Sequence, residues 1–113
     1  MSPLKTMVVG AGALGRHHAR ILAGLDGVDL IAVADPREDA GRAVADACGS
    51  EWIADFRDAI DQTEAVSIVV PTSLHVEVAS EFLSRGIPTL VEKPLAGSAD
   101  EASKLVSLAT VSY

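Results

Sequence analysis

Apolar residues fall along this chain either in short unbroken runs or at every third and fourth position, and the two patterns alternate, which predicts strands and helices in turn. A strand over 5–9 (KTMVV) leads through Gly10 into a helix over 13–25, whose apolar stripe of Leu14, Ile21, Leu22 and Leu25 also carries His18. A second strand over 29–34 (DLIAVA) stops at Asp35 and Pro36. A helix over 37–48 follows and ends at Gly49. Trp52 and Ile53 give only a stub of strand, and Asp55 is placed to cap a short helix through Ile60. Residues 65–70 (AVSIVV) read as a buried strand, 74–85 as a helix closed by Gly86, and 87–91 as a strand that tolerates Pro88 near its start. Ser98 and Glu101 form a capping box for a last helix over 99–109.

Strands that are apolar on both sides, each followed by a helix, belong to a parallel sheet covered on both faces, so the fold class is doubly wound α/β. Right-handed crossovers leave few topologies for it. With 113 residues the chain has the length of one domain, able to bury roughly 60% or more of its unfolded surface. The last helix would feed a further strand, yet the chain reaches Tyr113 first. Residues 1–113 thus read as one incomplete domain without a second.

Composition narrows the function classes. Apolar residues at 49% and charged residues at 22% are ordinary globular usage. Sixteen acids against nine Lys and Arg give a formal charge of −7, which opposes attraction to nucleic acid or anionic lipid, and neither is expected as a partner. Glycines at 10, 12 and 15 interrupt the apolar N-terminal run, no cleavage-site pattern follows, and the reading is a cytoplasmic protein. The single cysteine, Cys48, has no second thiol for a disulfide or metal site and reads as a helix-face filler.

The chemistry begins at GAGALG. Gly10, Gly12 and Gly15 match G-x-G-x-x-G, follow a strand, open a helix, and are answered by Asp35 20 residues later at the end of the second strand. That is the dinucleotide (Rossmann) fingerprint. Gly10 permits the tight turn, Gly12 lets backbone approach a pyrophosphate, and Gly15 lets helix and strand pack closely. The N–H groups of Ala13 and Leu14 supply donors where the helix dipole favours an anion. Asp35 would accept from the adenosine ribose hydroxyls and repel a 2′-phosphate, which makes NAD the expected cofactor. Arg37, two residues on, leaves NADP open, since it can stack on adenine, reach a 2′-phosphate or be a solvated surface arginine.

Ligands of such sheets lie along the carboxyl ends of the strands, so Val70-Pro71-Thr72-Ser73-Leu74-His75 and Glu92-Lys93-Pro94 also matter. In this order and spacing, GAGALGRHH, Asp35, VVPTSLH and VEKPLAG resemble the N-terminal nucleotide-binding domain of the glucose-fructose oxidoreductase, inositol dehydrogenase and rhizopine-catabolism (Gfo/Idh/MocA) family. The resemblance implies that Pro71, Thr72 and His75 line the nicotinamide half of the cofactor and that Glu92 contacts the nicotinamide ribose. It further implies that Lys93 reaches the substrate hydroxyl and that Pro94 aims it. A held ammonium suits that task because it stabilises charge developing on the hydroxyl oxygen as hydride leaves the carbon. Beside these stand plainer readings: Glu92 and Lys93 as a solvated pair, His75 as a polar cap, His18 as a packed histidine with a backbone partner, and Trp52 and Phe56 as packing residues at the sheet edge.

Family members have a second α/β domain that shapes the substrate pocket, and the resemblance implies an oxidoreductase acting on a sugar, cyclitol or nucleotide-sugar hydroxyl. This chain alone, without that domain, is expected to lack turnover. Two other classes of reading stay open: a non-catalytic NAD-binding module, and a fragment whose exposed sheet edge invites homo-oligomers.

Overall fold

The computed structural model describes residues 3–91. Five parallel strands form one sheet: β1 Leu4–Val9, β2 Val28–Ala34, β3 Glu51–Ile53, β4 Ala65–Ile68 and β5 Thr89–Val91, in the order β3-β2-β1-β4-β5. Helices α1 Ala13–Gly24, α2 Glu38–Cys48 and α3 His75–Leu83 make the crossovers. The chain starts in the middle of the sheet, winds to one edge and then to the other, so the strand order reverses between β1 and β4. This is the doubly wound fold, and its ligand crevice lies over the carboxyl ends of β1 and β4.

The two faces of the sheet bury separate sets of apolar side chains. Met7 and Val9 of β1 point to the α3 face and join Ala32, Ala34, Val66 and Ile68 with Val78, Ala79 and Phe82 of α3. Val8 points the other way, to Leu30 and Val33 and to Ala19, Val44 and Ala45 of α1 and α2. A strand side-chain period of two produces this division directly.

One irregularity in the pairing sets the site. Thr6 pairs with Leu30 but Met7 with Ala32, so Ile31 is an extra residue in β2, a bulge. From there Val9 lies opposite Ala34 and Gly10 N–H donates to Ala34 O at 2.8 Å. The extra residue brings Asp35 level with the glycine turn rather than one place beyond it.

Several expectations change, and β5 begins only at Thr89, beyond Pro88. The stripe predicted to face inward from α1 lies largely outward, with Leu14, Ile21 and Leu25 all close to half exposed. The buried positions are Gly15 and Ala19, with Leu22 and His18 partly covered. Small residues let the helix axis approach the sheet, so the line of closest contact runs along them. The region after Asp55 forms two 3₁₀ turns, Phe56–Asp58 and Ile60–Gln62, instead of one α-helix, although Asp55 does cap the first, accepting from Arg57 N–H at 3.0 Å. Strand β4 ends at Ile68, and the backbone from Pro71 curls through a further 3₁₀ turn, Thr72–Leu74, so α3 begins at His75. The helix expected over 99–109 lies outside the described residues.

Candidate functional site

The three glycines of the turn carry different burdens. Gly10 has φ +109°, a conformation side-chain-bearing residues rarely adopt, and a Cβ there would run into the carbonyl oxygen of Val69. At Gly15 a Cβ would strike the carbonyl oxygen of Gly10. Packing therefore explains both. Gly12 differs: a Cβ there would meet nothing within 4 Å. Its φ is −74°, it caps α1 without offering a side chain, and no acid sits in the first turn. The N-terminus of α1 thus presents backbone N–H groups and a positive dipole end across an open space.

Asp35 stands beside this turn and is 5% exposed. Its backbone is held on both sides: Asp35 N–H donates to Ile53 O at 3.0 Å, and the Trp52 indole N–H donates to Asp35 O at 2.8 Å. Its carboxylate takes four donors. Oδ2 accepts from Ala11 N–H at 2.8 Å and Arg37 Nη2 at 2.9 Å, and Oδ1 from Arg37 N–H at 2.8 Å and Arg37 Nε at 3.1 Å. Burial works to raise the Asp35 pKa, but the side-chain and backbone bonds from Arg37, the Ala11 N–H and the Arg37 charge together outweigh it. The carboxyl ends below its ordinary value.

At the end of β4 the wall is fixed differently. His75 is 2% exposed and its Nε2–H donates to the carbonyl of Val70 at 2.8 Å, which ties α3 to the turn carrying Pro71 and Thr72. Pro71 is exposed, and its carbonyl accepts from Leu74 N–H at 2.8 Å. Strand β5 ends at Val91, opposite Ile68. Glu92, Lys93 and Pro94 themselves lie outside the described residues.

A cavity of about 310 Å³ opens at these strand ends, floored by Val9, Ala34 and Val70 and walled by Asp35, Pro36 and Leu74. A larger apolar groove of about 470 Å³ lies under Leu4, Leu25, Val28 and Leu90, at the amino ends of the strands, away from the glycine turn. The smaller one is the cavity that borders Asp35.

The sequence reading missed two supports of this corner. Gly41 in α2 leaves room for the Trp52 ring, which a Cβ at that position would strike, and the ring is thereby aimed at Asp35. A glycine in mid-helix is the signal that could have shown it. Arg57 covers the Phe56 ring at 4.5 Å and reaches Asp55, Glu77 and Glu81 at 3.3, 3.9 and 3.6 Å, closing the rim of the smaller cavity. Phe56 itself packs on Phe82, ring centroids 5.2 Å apart.

Two histidines lie elsewhere. His18 Nδ1 is 2.6 Å from the Ser67 hydroxyl. His17 is exposed and its Nδ1 accepts from Arg20 Nη2 at 2.9 Å. Among the described residues no group of three His, Cys, Asp or Glu side chains is placed to hold a metal, and no helix is long and apolar enough to cross a membrane.

Known proteins share this fold. The model of the oxidoreductase family with the NAD-binding Rossmann fold matches residues 4–112. Inositol 2-dehydrogenase of Corynebacterium glutamicum is 39% identical over 111 residues, which take in 93% of this chain and 32% of that protein. UDP-N-acetylglucosamine 3-dehydrogenase of Acidithiobacillus ferrooxidans is 33% identical over 96% of this chain and 34% of its own length. The crystal structure of GenD2 from gentamicin A biosynthesis, solved in complex with NAD, superposes with a TM-score of 0.93 at 31% identity, covering 99% of this chain and 33% of that one. The chain spans about a third of the length of these relatives. By its fold, its glycine turn and a family match that runs nearly end to end, the chain belongs to the Gfo/Idh/MocA oxidoreductase family and is similar to its N-terminal, NAD-binding Rossmann domain.

Proposed function

We propose that this chain is the cofactor-holding part of an NAD-dependent oxidoreductase that passes hydride between the nicotinamide and a hydroxyl-bearing carbon of a sugar, cyclitol or nucleotide sugar. The observation that carries the reading is Gly12. Gly10 and Gly15 are accounted for by the protein's own packing, whereas the missing side chain of Gly12 faces open space beside an uncapped helix N-terminus, which suits the close approach of a pyrophosphate.

In this reading the N–H groups of Gly12, Ala13 and Leu14 hold the pyrophosphate, and Gly10 and Gly15 shape the turn. Asp35 takes the adenosine ribose in competition with Arg37. Pro71 and Thr72 border the nicotinamide half, on a turn that His75 fixes from behind. Glu92 and Lys93 follow β5 to the same edge, Glu92 toward the nicotinamide ribose and Lys93 toward the substrate hydroxyl, with Pro94 restricting the backbone that aims them. When bound, the nicotinamide supplies the hydride acceptor. Lys93 stabilises the negative charge that develops on the hydroxyl oxygen. The substrate class rests on the relatives, which are named for inositol and for UDP-N-acetylglucosamine.

A titration of the 113-residue chain with NADH and NADPH, followed by nicotinamide fluorescence, tests the cofactor reading. Saturable binding with NADH tighter is expected, and no binding, or NADPH tighter, would overturn it. For the chemistry, residues 1–113 are joined to the remaining two thirds of the Corynebacterium inositol 2-dehydrogenase and carry Lys93→Met. NADH affinity should persist while turnover falls by about a hundredfold or more, and retained turnover removes Lys93 from the mechanism.

A further inference from the structure

We propose that Arg37 is an internal competitor for the nucleotide, its guanidinium occupying the carboxylate oxygens of Asp35 that a ribose diol needs. It therefore has to swing out before a nucleotide can seat, and it opposes NADH while favouring a 2′-phosphate. The inference rests on the reading above in which Asp35 receives the adenosine ribose.

The count of donors makes the case. An ionised carboxylate offers about four lone-pair sites. Asp35 fills them with Ala11 N–H, Arg37 N–H, Arg37 Nε and Arg37 Nη2, and its side chain is left only 4% exposed. The two backbone donors cannot leave without moving the glycine turn or the start of α2. The two guanidinium donors can, because the Arg37 side chain is 64% exposed and holds Asp35 alone among the described residues. A ribose diol has two hydroxyl donors and fits the two places the guanidinium vacates. The exchange gives up charged donors for neutral ones, a loss offset in part because the departing guanidinium, already 64% exposed, regains its full hydration.

A 2′-phosphate reverses the sign. The Asp35 carboxylate repels it, but the released guanidinium, two residues away, meets it with charge-assisted bonds. Arg37 thus lowers affinity for one cofactor and raises it for the other, which narrows the preference that Asp35 alone would impose.

The test measures dissociation constants of NADH and NADPH on the wild-type chain, Arg37→Ala, Arg37→Gln, Asp35→Asn, and Arg85→Ala as a charge control beyond the C-terminal end of α3. Arg37 occupies the N-cap position of α2 without making a side-chain cap bond, so replacing it removes no cap, and circular dichroism checks the fold. Both Arg37 variants should bind NADH about two- to fivefold more tightly and NADPH about tenfold more weakly, with Arg85→Ala like wild type. NADH that binds equally or less tightly in both Arg37 variants overturns the competitor and makes Arg37 a spectator or a stacking contact. Failure of the underlying reading looks different: wild type binds neither nucleotide, or Asp35→Asn leaves NADH affinity unchanged.

Discussion

The carboxyl edge of the sheet is built in two ways. Around β1 and β4 the turn and its wall rest mainly on backbone atoms: Gly10 lies against Val69 O, Gly15 against Gly10 O, and the His75 ring against Val70 O. At the end of β2 the polar group is a carboxylate, and half of its partners come from one exposed arginine side chain. Backbone contacts cannot be exchanged without unfolding something. Side-chain contacts on the surface can be, and within one crevice the molecule therefore has a rigid cradle and an adjustable corner.

Substitutions can break this comparison, beginning with the glycines. Gly15→Ala should cost about 3 kcal/mol or more, or prevent folding, because the new methyl meets backbone that has nowhere to move. Gly12→Ala should leave stability within about 0.5 kcal/mol and yet weaken NADH by about tenfold or more. Urea unfolding and NADH titration of both variants check the pair, and a Gly12→Ala that unfolds like Gly15→Ala would erase the distinction. Next in size, His75→Ala should destabilise by about 2–3 kcal/mol, since it leaves a cavity and deprives Val70 O of its donor. If His75→Ala instead keeps its unfolding midpoint and loses NADH, the ring belongs to the ligand and not to the wall.

The smallest effect sharpens the β2 corner. Asp35 has a folded pKa below its ordinary value of about 3.9, so the native state binds this proton less readily than the unfolded chain does. Its contribution to stability is then present above the unfolded pKa and is lost as pH falls through the lower folded one. Unfolding of wild type and Asp35→Asn, compared from about pH 6 down to about pH 3, should show wild type losing its advantage on the acid side. A difference that does not change with pH would mean that the carboxylate charge is not what holds the corner.

Much of this was legible in the sequence because it rests on strong local signals. The glycine spacing, the acid that stops the second strand and the continuous apolar runs each have one dominant physical reading, and together they specify a doubly wound sheet. What escaped depends on contacts between distant residues. The α1 stripe was read from the helical spacing of Leu14, Ile21, Leu22 and Leu25, of which only Leu22 is partly covered, whereas the helix settles on Gly15 and Ala19 because small residues permit the closest approach. The bulge at Ile31 is invisible in DLIAVA, since pairing with β1 creates it. Arg37 was left with three roles open, and the bond that resolves its position needs the carboxylate two residues back to be aligned by Trp52 and Ala11.

The packing of Trp52 into the notch left by Gly41 has an optical consequence. It is the only tryptophan in the chain, and its indole N–H is bonded to the carbonyl of Asp35 with Arg42 stacked 4.8 Å from the ring. Indole emission from this protein thus comes from a single chromophore one bond from Asp35, so the chain has its own lamp beside the corner proposed to receive a nucleotide. Changes in that emission, and energy passed from it to a reduced nicotinamide, would read out movement at the corner in unlabelled protein.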